Sequence, residues 1–106
     1  MIEKMFSHIL LDSFEFNDFR KIDTNTLISF KSPKGEYELS FYLNQNHTLL
    51  SVRLRNYECD DLIEFLYKNT GDENDVFLYN LWLSFDEKIK KDKKIRIRAI
   101  VQGFYK

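Results

Sequence analysis

A chain of 106 residues, 43% apolar and 31% charged, has the size and makeup of an ordinary globular domain and is read as a single domain over 1–106. Its formal charge of −1 and pI near 6.1 count against a dedicated nucleic-acid binder, and no run approaches the ~18 apolar residues that span a bilayer. The lone Cys59 excludes an internal disulfide, and the first residues lack a basic stretch followed by an apolar core, so a reducing, cytoplasmic setting is expected. Usage leans toward Lys, Asn, Phe, Ile and Tyr, with Ala99 the only alanine, a bias that AT-rich codons produce and that fits a bacterial or phage source.

At the N-terminus Ile2, Met5, Phe6, Ile9 and Leu10 recur with helical spacing and predict a short helix, with a strand over 7–16 as the competing reading. No period assigns residues 14–19. Ile28 and Phe30 then alternate with Ser29 and Lys31, and Ser32-Pro33-Lys34-Gly35 supplies the turn of a hairpin. The next run puts Tyr37, Leu39, Phe41 and Leu43 on one face and Glu36, Glu38, Ser40 and Tyr42 on the other. A second hairpin follows, in which Leu50, Val52 and Leu54 alternate with Leu49, Ser51, Arg53 and Arg55. If Gln45-Asn46 is its two-residue loop, Glu38 lies opposite Arg53 and Glu36 opposite Arg55.

Over 57–69 the spacing of Cys59, Leu62, Ile63 and Leu66 predicts a helix, N-capped by Asn56 and ended by Gly71. Residues 76–85 alternate through Phe77, Tyr79, Leu81, Leu83 and Phe85; the run is apolar enough for a buried helix, but the alternation predicts a strand. Ile95, Ile97, Ala99 and Val101 alternate with Arg96, Arg98 and Gln102 as a last strand, joined to the previous one by the polar segment 86–94. The expected architecture is α+β, an antiparallel sheet of about five strands with helices packed on one face.

No phosphate-binding glycine loop, GxSxG elbow, HExxH or zinc-spaced Cys/His cluster occurs, so no catalytic, cofactor-binding or metal-binding residue is assigned, and no cofactor is expected. A ribonuclease-like site of Glu36 or Glu38 as base, His47 as acid and Arg53 or Arg55 on phosphate is conceivable, but cross-strand ion pairing accounts for the same residues. Cys59, on the apolar helix face, reads as a small hydrophobe.

Charge is unevenly spread. Glu58, Asp60, Asp61, Glu64, Asp72, Glu73 and Asp75 stand against Lys68 alone, a net −6, and are the candidate partner-binding residues. Residues 86–98 carry a net +4 from Lys88, Lys90, Lys91, Lys93, Lys94, Arg96 and Arg98 against Asp86, Glu87 and Asp92. The expectation is a small cytoplasmic protein-binding module without enzymatic activity, an immunity-type inhibitor of a basic partner such as a nuclease toxin, with no membrane association. Two alternatives stand beside it. One is an RNA-binding or RNA-cleaving domain on an Arg-lined sheet face, with Tyr42 and Trp82 beside Arg96 and Arg98; the other is a structural module that dimerises through an apolar face including Trp82. Nothing in the sequence signals the oligomeric state.

Overall fold

The computed structural model describes residues 2–104. Over these the chain forms α1 (Ile2–Met5), a 3-10 turn (Leu11–Ser13), β1 (Glu15–Ile22), β2 (Asn25–Lys31), β3 (Tyr37–Leu43), β4 (Leu49–Asn56), β5 (Asp61–Leu66), α2 (Glu73–Lys91) and α3 (Lys93–Val101). The strands pair in chain order and every pair is antiparallel, a meander that needs only short turns. The expected α+β class holds: the helices cover one face of a five-stranded sheet. Among the described residues no helix is long and apolar enough to cross a membrane.

Strict alternation makes the sheet two-sided. Ile28 and Phe30, Leu39, Phe41 and Leu43, and Val52 and Leu54 all point to the helix side and are nearly or wholly buried. The first hairpin is as the turn chemistry predicts: Gly35 takes φ 76°, a left-handed conformation that costs glycine nothing, and its N–H donates to the Ser32 carbonyl at 2.9 Å.

The second hairpin keeps the predicted faces but not the register. Glu38 lies opposite Arg55, and Ser40 opposite Arg53; Glu36 falls outside β3. The loop is longer than two residues, because the Asn44 carboxamide accepts from the N–H groups of Asn46 (2.8 Å) and Thr48 (3.0 Å) and His47 adopts φ 63°. A register shift at Tyr42/Leu43 completes the change and buries Leu49 where Leu50 was expected. Beyond that shift the slip is two residues, which preserves the side-chain faces from 51 to 55 and with them the burial pattern there.

The helix expected over 57–69 is instead a turn followed by β5. Asn56 does cap a backbone N–H, but that of Glu58 in a tight turn (3.0 Å), and Asp60 adopts φ 50°. Period two then sends Ile63 and Phe65 to the core and sets Glu64 against Arg53, whereas the helical reading left Phe65 off its apolar face.

The strands expected over 76–85 and 95–101 are helices, and the connector 86–94 is largely helical too. Asp72 N-caps α2 by accepting from the Asp75 N–H at 2.8 Å, acids stand in its first turn and lysines in its last, and both suit the helix dipole. Leu78, Leu81, Trp82, Phe85 and Ile89 share one buried face; alternation omitted Leu78 and Trp82, the residues that make the pattern helical. Asp92 ends α2 and N-caps α3, accepting from the N–H groups of Lys94 and Ile95. At the far end Gly103 (φ 81°) closes α3 with paired bonds, Gly103 N–H to Ile100 and Phe104 N–H to Ala99, and both Phe104 and Ala99 are buried.

The N-terminal segment is helical only over α1. Phe6 is buried against Phe65 and Phe77, while Leu10, expected on the same face, is 81% exposed beyond the helix. The centre of the core is aromatic: Phe41 lies 6.0 Å from Phe30, 5.2 Å from Trp82 and 5.3 Å from Phe85 between ring centroids. Phe41→Ala removes the ring common to these contacts from a fully buried site and is expected to cost about 3–5 kcal/mol of folding free energy, read as a lowered urea midpoint with unchanged slope.

Candidate functional site

The face of the sheet away from the helices is polar, and the register orders its side chains in three rows. One row runs Lys31, Glu38, Arg55 and Leu62; the middle row runs Asp18, Ser29, Ser40, Arg53 and Glu64; the third runs Arg20, Leu27, Tyr42, Ser51 and Leu66. Short serines in the middle row, flanked by long side chains, leave a groove of about 430 Å³ over the centre of the face.

Its side chains are tied together locally. Arg53 Nε donates to Glu64 at 2.6 Å and its guanidinium lies 5.2 Å from the Tyr42 ring centroid. The Arg53 hydrogen bond, with that of the Ser51 hydroxyl, holds the Glu64 carboxyl below its usual range. Tyr57 folds back over the face from the β4–β5 turn. Its hydroxyl donates to Glu38 at 2.9 Å, and its ring lies 5.7 Å from both the Lys31 ammonium and the Arg55 guanidinium. Burial, and then the Glu38 carboxylate, push the Tyr57 phenol up. The second Glu38 oxygen accepts from the Asn17 amide at 3.2 Å, so Glu38 is engaged by two neutral donors although Arg55 faces it in register. Arg55 reaches Asp60 at 3.4 Å.

The seven carboxylates read from the sequence do not gather into one patch. Glu58, Asp60 and Asp61 are exposed around the β4–β5 turn, and Glu64 stands on the open face in its pair with Arg53. Asp72, Glu73 and Asp75 lie at the start of α2, past the other end of β5, and six strand residues separate the two groups by about 20 Å. Two of the seven are structural: Asp72 is the helix cap, and Asp75 is buried, accepting from the Lys68 N–H (3.1 Å), the Thr70 N–H (2.7 Å) and the Thr70 hydroxyl (2.7 Å).

Other expectations for the site need correcting. Arg96 and Arg98 are on α3, not the sheet face; Arg98 reaches Asp18 at 3.4 Å and lies over Phe16. Trp82 is buried on α2, so it neither stacks on the open face nor belongs to an exposed apolar surface. His47, beyond the end of β3 remote from Glu38, stacks on Phe104 at 4.4 Å; the ribonuclease-like set is not brought together. Cys59 is exposed in the β4–β5 turn and is not an apolar-face residue. Among the described residues no His, Cys, Asp and Glu group is arranged to hold a metal ion.

Sequence reasoning missed Asn17, Arg20 and Tyr57. The first two lie on β1, whose period a bulge between Phe16 and Asp18 interrupts, and Tyr57 was counted into a helix. Lys31 and Ser40 were legible as outward residues, but not as parts of one groove.

The hydrogen bonds to Asp75, from Thr70 first and then from Lys68, hold its carboxyl below the usual aspartate range. A depressed folded pKa contributes stability that is complete above the unfolded value and is lost as pH falls through the folded one. Asp75→Asn is therefore expected to lower the melting temperature at neutral pH and to flatten its decline on acidification, measured by thermal unfolding at a series of pH values. An unchanged profile would remove Asp75 from the anchoring role. No family model matches the chain, and neither a curated protein nor a solved structure does.

Proposed function

We propose that the chain is a small protein-binding module without enzymatic activity of its own, an immunity-type inhibitor that covers a basic surface of its partner. The observation that carries this reading is the pairing of exposed anchors with a carboxylate rim. Tyr57 and Leu62, 46% and 49% exposed, stand beside Glu58, Asp60 and Asp61 at the β4–β5 end of the sheet. A large aromatic residue with an aliphatic neighbour is the combination that concentrates binding energy, while charges at a rim mostly govern encounter rate and partner choice. The proposed interface is narrower than the seven-carboxylate surface, since Asp72, Asp75 and Glu64 already serve the fold or the sheet network and Glu73 lies apart in the first turn of α2.

The outer edge of β5 adjoins these anchors, because among the described residues β5 is paired with β4 alone. A partner docking there gains main-chain hydrogen bonds as well as side-chain burial.

The test uses the immobilised chain to capture a partner from source-cell lysate, followed by binding kinetics with the purified partner. Reversing Glu58, Asp60 and Asp61 to Lys is expected to slow association about tenfold at low salt, and Tyr57→Ala to cost about 2 kcal/mol, mainly through faster dissociation. A captured protein whose association rate ignores the triple reversal, or capture of RNA in place of protein, would overturn the reading.

A further inference from the structure

The groove on the open face has donors to spare. Of the four cations that line it, Arg53 is committed to Glu64, but Arg55 reaches only the 92% exposed Asp60 side chain at 3.4 Å. Arg20 and Lys31 have no carboxylate within 4.0 Å among the described residues. Against these four stands one lining carboxylate, Glu38, whose oxygens already accept from Tyr57 and Asn17. The lining residues alone sum to +3, and with the Glu64 that Arg53 holds the groove carries a net charge of +2.

A second observation comes from the floor. Ser29 and Ser40 are each 6% exposed; the Ser29 hydroxyl accepts from Asn17 at 3.0 Å, whereas the Ser40 hydroxyl has no partner among the described residues and borders the groove. That hydroxyl opens to solvent on the groove side, where a ligand oxygen can take the place of water. The Tyr57 ring, with the Lys31 ammonium and the Arg55 guanidinium each 5.7 Å from its centroid, adds an aromatic wall.

We infer that this groove binds a nucleoside phosphate, with the phosphate over Ser40 between Arg20 and Arg55 and the base against Tyr57. Guanidinium groups match phosphate oxygens in paired hydrogen bonds, and a net positive charge of +2 suits a multiply charged anion better than a single carboxylate. A space of about 430 Å³ falls within the usual range for small-ligand sites. The occupant is a free nucleotide and not a strand of nucleic acid, because the middle row continues into Asp18 on one side and Glu64 on the other. Each of those carboxylates is already paired with an arginine, which leaves no run of free cations beyond the groove for the successive phosphates that a single-stranded site must track. This inference does not rest on the protein-binding reading and stands or falls separately.

The test titrates the full chain with adenosine diphosphate, inorganic phosphate, adenosine and an oligouridylate, following backbone amide shifts by NMR. Adenosine diphosphate is expected to bind more tightly than phosphate or adenosine and to shift the amides of Ser29, Ser40 and Arg53. Arg20→Gln and Arg55→Gln are each expected to weaken it about tenfold, the loss of one hydrogen bond to a charged group. Ser40→Ala is expected to weaken it less, and Lys90→Gln, on α2, not at all. Absence of adenosine diphosphate binding, affinity indifferent to both arginine changes in folded variants, or preference for the oligouridylate would each overturn the inference.

Discussion

The contact on which the rest of the molecule depends is the aromatic seam between the sheet and α2. Phe30 and Phe41 on the central strands meet Phe85 and Trp82 of the helix, with Phe30 and Phe85 centroids 4.5 Å apart. A five-stranded meander has two faces and one chain to cover them. Once α2 seals the apolar face, the polar face must remain open, and side chains there are free to serve something other than packing. The seam also positions the termini of the helices: Lys88 reaches the Asp12 and Phe14 carbonyls, and Phe104, at the end of α3, closes over Phe19.

The open face derives its character from side-chain length. On the two central strands the middle row holds serines, so the sheet backbone is approachable there, while arginines, a lysine and tyrosines rise on either side. The same cross-strand geometry neutralises part of that charge. Arg53 is tied to Glu64, and Glu38 is tied to Tyr57 and Asn17, which leaves Arg20, Lys31 and Arg55 as the residual basic groups of the groove. The acidic residues, compact in sequence, are dispersed in space because β5 runs between them.

The central hairpins were legible because alternation and burial agree over 28–43 and 51–54, and Pro33 and Gly35 mark the first turn. Their register was not, since it turned on the Asn44 carboxamide holding a longer loop. In 57–69 and 76–101 the apolar residues satisfy two periods at once, and tertiary burial chooses between them. Asp72, Asp92 and Gly103 did carry the local signals for α2 and α3: two carboxylate caps and a left-handed closing glycine. Weighing those caps above the alternation of Phe77 to Phe85 recovers both helices. Of the site, the outward direction of Glu38, Ser40, Arg53 and Arg55 was readable strand by strand; the groove was not, because Arg20 and Tyr57 reach it from segments whose conformation a bulge and a turn determine.

Trp82 is the single tryptophan of the chain, so fluorescence excited selectively at the indole, where the six tyrosines do not absorb, reports on the seam. Docked by α2 against Phe41 and 5% exposed, its indole is expected to emit at short wavelength and to resist quenching by acrylamide until the protein unfolds. Red-shifted emission with free access of quencher in the native state would mean that Trp82 faces water, as it does if residues 76–85 form a strand with the opposite parity buried, and would contradict the packing on which the open face depends.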